Sequence, residues 1–249
     1  MYWDRLTTKH FREKVLGQID TAILPVGSVE AHGEHCPLGT DNMAPWHFAA
    51  ALEERFPDRV LIMPAIPYGH TWELANYAGT LSVATNAFAQ YVTEVGLAAL
   101  TWGIHNIVLM NGHGGNTPAL NAVMENIAEH GGRAVLVNWW IDYSQDILTV
   151  TKSQGHAGED ETSVMLAVAG SLVRMEDASF NPYQAKYKIK QMGLHEKNLR
   201  HATTGDGRGG SREKGEQIID LVTARLVQLL EDLWSDSLYV RIDEKGGKS

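Results

Sequence analysis

The chain reads as a three-layer α/β fold, a mainly parallel sheet with helices on both faces, and three observations predict it. Short apolar runs of strand length alternate with longer segments whose apolar residues recur at helical spacing. Glycine-rich stretches follow two of the strand-like runs, at residues 27–33 and 112–115. The 249 residues show no repeat or low-complexity linker, so 1–249 is taken as a single domain large enough to bury a sizeable core.

Residues 21–26 (Thr-Ala-Ile-Leu-Pro-Val) form the first buried strand, and Gly27 and Gly33 give the following loop backbone shapes closed to other residues. Residues 42–56 carry Trp46, Ala49, Ala50, Leu52 and Phe56 at helical spacing, with Asp41 or Asn42 as cap and Pro45 tolerated in the first turn. A strand at 60–66 leads into a loop at 67–80, rich in Gly, His and aromatic residues and suited to wall a pocket. Phe88, Tyr91, Val92, Val95, Ala99 and Leu100 mark one face of the next helix, and 106–110 is a strand. Thr117-Pro118 starts a helix that closes at Gly131-Gly132, and 134–137 returns as a strand. Residues 161–172 have helical character. The polar segment 179–212, with its loop Gly-Asp-Gly-Arg-Gly-Gly at 205–210, reads as a flap or subunit contact. Ile219, Val222, Leu226, Leu229 and Leu233 define the face of a long final helix, and the tail 244–249 reads as frayed. Ligands of such a fold bind beyond the carboxyl ends of the strands.

Bulk properties exclude several functions. A net charge of −9, from 21 basic and 30 acidic residues, supplies no field for nucleic acid or anionic lipid. Cys36 is the only cysteine, which excludes an intrachain disulfide and a Cys-based zinc cluster and fits a reducing compartment, so cytoplasm is expected. The amino terminus lacks the order of a signal peptide, and no apolar run approaches the ~18–20 residues of a membrane span.

Three polar clusters carry the chemistry. Glu30 and His32, two apart, share one side of an extended segment, and Asp41 returns after a Gly- and Pro-containing excursion to the start of a helix. There Asp41 is either a carboxylate bridging two ions or only a helix cap. His113 lies between glycines just past a strand, free to project into a cleft or to close a tight turn. His156 and Glu161 lie in Gly-His-Ala-Gly-Glu-Asp-Glu-Thr-Ser at 155–163 and suit acid–base or metal roles, although acids at a helix start also fit the macrodipole alone. Hard oxygens and imidazoles of this kind suit zinc, manganese or iron, and a pair of such ions activates water.

In this order the clusters resemble the creatininase (creatinine amidohydrolase) family. Gly27 to Pro37 with Asp41 match Gly-Ser-x-Glu-x-His-Gly-x-His-x-Pro followed by Asp, and Asn111 to His113 and Glu161 to Ser163 match Asn-Gly-His and Glu-Thr-Ser. The resemblance implies an α/β fold, two divalent metals and cleavage of a carbon–nitrogen bond in an amide, often cyclic. It places Glu30, Asp41 and His113 on one ion, and His32 with the bridging Asp41 on the other. Creatininase has a further glutamate ligand where this chain has Gly115, so Glu161 is the candidate to complete the second ion, and creatinine itself becomes a doubtful substrate. The resemblance further suggests that Trp139 or Trp140 covers the substrate, packing being the alternative, and that the chain is a ring-like homo-oligomer, a hexamer by family resemblance.

The expected reaction is attack by metal-activated water, with His156 as general acid for the leaving nitrogen and Glu161, if not a ligand, as proton shuttle. Tyr68, His70, Trp72 and Glu73 are further pocket candidates. His35 is expected to support the ligands from behind, and Cys36 to be a buried inert thiol. The expected substrate is a small, possibly cyclic amide, lactam or formamide. Alternatives are a deformylase of a ribosylaminopyrimidine phosphate, with Arg208 and Arg212 for the phosphate, a peptidase trimming a modified peptide, and a non-catalytic metal-dependent binding protein.

Overall fold

The computed structural model describes residues 1–181 and 183–240; the tail expected to fray, 244–249, lies outside the described residues. Four strands, β1 (Thr21–Val26), β2 (Val60–Ile62), β3 (Asn106–Asn111) and β4 (Arg133–Asn138), form one sheet in the order β2-β1-β3-β4. Every pairing is parallel, with Thr21 opposite both Val60 and Asn106, and Asn106 opposite Arg133. Nine α-helices are described: α1 (Thr8–Lys14), α2 (Thr40–Arg55), α3 (Thr85–Leu100), α4 (Thr117–Glu129), α5 (Trp139–Asp142), α6 (Ser144–Ile147), α7 (Glu159–Ala169), α8 (Leu194–Asn198) and α9 (Arg212–Ser235).

Strand periodicity sorts the core into two faces. Ala22, Leu24, Val26, Ile107 and Leu109 pack with Phe88, Val92 and Ala99 of α3 and Leu120, Val123 and Ile127 of α4. Their alternates Ile23, Val108 and Met110 pack with Phe48 and Leu52 of α2, Val164 of α7 and Val222, Leu226 and Leu230 of α9. Thus α2, which links β1 to β2, and α4, which links β3 to β4, lie on opposite faces. The chain therefore reverses direction between β1 and β3, and a crevice opens at their carboxyl ends. Among the described residues no helix is long and apolar enough to cross a membrane.

Several elements differ from the expectation. The second strand ends at Ile62 rather than residue 66: Pro64 has no N–H to continue the ladder, and Ile66 regains only an isolated bridge to Val26. Helix α2 starts at Thr40 with Gly39 as its cap, so Asp41 is no cap and Pro45 lies inside the helix. Thr117 caps nothing either; its hydroxyl donates to Asn138 Oδ1 at 3.0 Å. Helix α7 begins two residues early at Glu159 and ends at Ala169, before a 3-10 turn at Gly170–Leu172. In α9 the buried stripe is Ile218, Val222, Leu226, Leu230 and Leu233, while Ile219 and Leu229 are only partly buried, and in α3 Tyr91 is exposed.

Helices α7 and α9 pack so closely at Gly215 that a Cβ there would overlap the carbonyl oxygen of Ser163. Gly215→Ala is expected to cost about 1–3 kcal/mol in denaturant unfolding, because the obstacle is backbone and cannot swing aside; an unchanged midpoint would show that the two helices slide freely.

Candidate metal centre

The ends of β1 and β3 are built to receive the first turn of α2. A Cβ at Gly27 would overlap Asn42 and the Asp41 carbonyl, and one at Gly112 would overlap that same carbonyl oxygen. The Asn42 amide holds Ser28 O at 2.8 Å, and the Asn116 amide holds Gly27 O at 3.0 Å, tying both glycine loops together. Asp41 is thereby buried in the crevice between the loop after β1 and the loop after β3.

Asp41 Oδ1 lies 2.9 Å from His32 Nε2, and Asp41 Oδ2 lies 3.1 Å from His113 Nδ1. Glu30 Oε2 is 3.1 Å from His113 Nδ1, and Glu161 Oε2 is 3.7 Å from His32 Nε2. The structure therefore brings together all five expected ligands. The groups Glu30–Asp41–His113 and His32–Asp41–Glu161 could each hold a metal ion, with ligand atoms within 4.8 Å of one another; Glu30–His32–His156 forms a third such group.

Backbone carbonyls set the imidazole tautomers, since a carbonyl can only accept. His32 Nδ1 donates to Glu30 O at 3.2 Å, and His113 Nε2 donates to His70 O at 3.0 Å. In each ring the other nitrogen keeps its lone pair turned toward the carboxylates. Both oxygens of Glu30, His32 Nε2 and Asp41 Oδ2 are buried without a hydrogen-bond partner. Acceptors facing acceptors are repulsive unless a cation lies between them, so this donor set fits metal ions. Without metal, protons take that place. Burial disfavours charge on His32, yet Asp41, Glu161 and Glu30 carry its pKa up to about 10, and His113 is raised well above its usual value by Glu30 and Asp41 against the same burial. Burial likewise opposes the Asp41 carboxylate, which the two imidazoles hold well below the usual range. Glu161 is pushed up to about 8 by burial, outweighing His32 and the bond from Ala157 N at 2.7 Å.

The three successive acids that begin α7 have separate tasks. Glu159 accepts from Lys152 N and Ser153 N and pairs with Lys214 at 2.6 Å, Asp160 accepts from Gly155 N and the Gln154 amide, and Glu161 faces the cluster. Together they wrap residues 152–157 around the helix start and bring in His156. Its Nε2 donates to Ala31 O at 2.8 Å, its Nδ1 lies 3.6 Å from Glu30 Oε1, and its ring packs 4.2 Å from that of His32. Burial and the neighbouring His32 lower its pKa to about 4, which favours the neutral imidazole.

The remaining candidates divide. Trp139 is 2 % exposed and packs in the core against Phe48 at 5.5 Å, which corrects its place among substrate-facing residues. Trp140 is half-buried beside Gly114, with its carbonyl held by Gln154 at 3.0 Å, and so flanks the His113 loop. His70 is tied by Nδ1 to Val83 O at 2.9 Å and contributes its carbonyl to His113, while Tyr68 is half exposed. Glu73 pairs with Lys190, which also lies over the Trp72 ring, so both belong to the contact with the 183–200 segment. His35 Nε2 is 2.8 Å from Thr162 Oγ1, linking the first loop to α7, and the Cys36 thiol is buried, its pKa pushed up to about 12 by that burial. Arg208 is paired to Asp206, and Arg212 lies against Gly170 at the opposite end of α7 from Glu161. A Cβ at Gly115 would overlap His70 O and the His113 ring. The packing that orients His113 thus excludes a glutamate there.

Fold and cluster define an α/β chain with metal-binding residues at the carboxyl ends of a parallel sheet. A family model described as "Creatininase: Creatinine amidohydrolase" matches residues 4–230, and the chain belongs to that family. It is 35% identical over 155 residues to the mycofactocin precursor peptide peptidase of Mycolicibacterium smegmatis, a match spanning 61% of this chain and 59% of that protein. It is 24% identical over 254 residues to the creatinine amidohydrolase of Pseudomonas putida, 91% of this chain and 95% of that one. With the 3-dehydro-scyllo-inosose hydrolase of Thermotoga maritima it shares 30% over 186 residues, 71% and 58% of the two chains. The solved structure "Creatininase Mn" shares the fold, with a TM-score of 0.81 at 22% identity, covering 93% of this chain and 97% of that one.

Because Asp41 belongs to two of the ligand groups and Glu161 to one, Asp41→Ala is expected to abolish high-affinity zinc uptake in a competitive chelator titration, whereas Glu161→Gln should retain uptake by Glu30, Asp41 and His113. Equal losses in the two variants would separate Asp41 from its shared position.

Proposed function

We propose that the protein is a hydrolase that uses two divalent cations, zinc, manganese or iron, and cleaves the carbon–nitrogen bond of a small amide, cyclic or acyclic, a lactam or a formamide. The observation that carries this reading is Asp41 itself, whose two oxygens reach imidazoles on separate loops amid unpartnered buried acceptors. Glu30, Asp41 and His113 would hold one ion, and His32, Asp41 and Glu161 the other. When bound, such ions lower the pKa of water at the site and polarise a carbonyl.

The chain's own residues do the rest. His156 Nδ1, with its lone pair fixed by the bond from Nε2 to Ala31 O, accepts the proton of the attacking water and delivers it to the departing nitrogen. Trp140 offers a flat wall beside the His113 loop for a planar amide, and Tyr68 an exposed aromatic edge. The side chains of His156, His113 and Glu161 are 21, 11 and 10 % exposed, against 1, 0 and 3 % for Glu30, His32 and Asp41, so substrate reaches the cluster past these three. Assembly into a homo-oligomer, on the family resemblance, and work in the cytoplasm, which the single cysteine fits, are part of the same proposal.

A second reading, a peptidase that trims a modified peptide, is favoured by the relatives named mycofactocin precursor peptide peptidase, 31–35% identical. The test is turnover of creatinine, other cyclic amides, formamides and short peptides by zinc-, manganese- and iron-loaded protein. Hydrolysis of a small amide supports the first reading and hydrolysis of peptides alone the second. Bound metal with no turnover in any class indicates a binding protein. His156→Gln is expected to keep its metal and lose roughly 10²–10⁴-fold in kcat; full activity in that variant would remove His156 from the mechanism.

A further inference from the structure

His156 is held from outside its own segment, by Thr203 and Thr204. Thr203 is 1 % exposed, and its hydroxyl lies 2.9 Å from His156 O, 3.3 Å from Gly205 O and 3.5 Å from Ala157 O, while it accepts from Gly205 N at 3.3 Å. Thr204 takes the other side: its hydroxyl accepts from His156 N at 2.9 Å, and its own N–H donates to His156 O at 3.0 Å. The histidine backbone is thus gripped at both its donor and its acceptor.

The same turn grips the loop that fixes the imidazole. Ala202 O accepts from Gly33 N at 3.0 Å, and Ala202 is buried with Ala31 and Leu74. Ala31 supplies the carbonyl that holds His156 Nε2. Residues 202–204 therefore set the distance between the histidine and the carbonyl that selects its tautomer. Ala157 and Ala202 carry φ of 52° and 46°, left-handed conformations uncommon for residues with a Cβ. Both flank this contact, and the Thr203 hydroxyl lies next to each.

We infer that Thr203 is a positioning residue for the proposed reaction: its hydroxyl fixes the His156 backbone so that Nε2 meets Ala31 O and Nδ1 keeps its lone pair toward the cluster. The inference rests on the hydrolytic role proposed for His156, but its geometric content can be tested without a substrate. Because Thr203 belongs to none of the three ligand groups, metal uptake should be indifferent to it.

The test uses zinc-loaded full-length protein labelled with ¹⁵N in its imidazoles, with His156 assigned by loss of its signals in His156→Gln. Wild type and Thr203→Ser should show the Nε2-protonated tautomer. Thr203→Val, which keeps shape and removes the hydroxyl, should show mixed tautomers at wild-type zinc content. Thr204→Ala, which removes only the contact to the His156 amide, should show smaller mixing, and it keeps the test open should Thr203→Val not fold. On an amide that wild type hydrolyses, Thr203→Val should lower kcat roughly 10- to 100-fold at unchanged KM, with recovery in Thr203→Ser. An unmixed wild-type tautomer in Thr204→Ala and in any folded Thr203→Val protein would overturn the inference. If no amide is turned over by wild type, the tautomer result stands alone, which separates failure of this inference from failure of the proposed function.

Discussion

A buried carboxylate must be neutralised, and Asp41 is buried between two imidazoles whose inward nitrogens are lone pairs. That requirement organises the end of the sheet on which it lies. Three carboxylates and three histidines converge there, and the unfavourable contacts among acceptors are relieved either by protons, which the neighbouring carboxylates favour on His32 and His113, or by cations. The reversal of strand order between β1 and β3 supplies the crevice, and Gly27 and Gly112 let the first turn of α2 settle onto the strand ends. Without those glycines the helix would be displaced, and Asp41 would leave the midpoint between the loops.

Much of this was legible in the sequence because the candidate ligands are grouped along the chain. Glu30, His32 and Asp41 lie within twelve residues, counting both ends, and His113 and Glu161 carry their own short signatures. The alternation of strand and helix was legible for a similar reason: strands buried on both faces read as unbroken apolar runs. The phase of α9 was not. Ile218, Ile219, Leu229 and Leu230 form two overlapping apolar stripes in the sequence, and only packing against α2 and α7 selects Ile218 and Leu230. Nor could spacing separate Trp139 from Trp140: neighbours on a short helix point in different directions, and one entered the core while the other stayed beside the His113 loop.

The least legible part is the support around the ligands. The carbonyls of Ala31 and His70 choose the tautomers of His156 and His113, and a backbone carbonyl leaves no mark in a sequence. Thr203 reaches His156 from 47 positions away, within a segment whose polar composition suggested a flap or a subunit contact. Gly115 was legible as a departure from creatininase, but its cause lay in packing: His70 and His113 occupy the space a side chain would need. His113, His156 and Glu161 carry the exposed share of the cluster, while Glu30, His32 and Asp41 are buried.

The most direct test of the shared carboxylate is anomalous diffraction from crystals of the zinc-loaded protein. Two peaks are expected, about 3.5–4 Å apart and each beside a different oxygen of Asp41, one near His113 and the other near His32. A single peak, or peaks that leave one Asp41 oxygen without a cation, would contradict the bridging role.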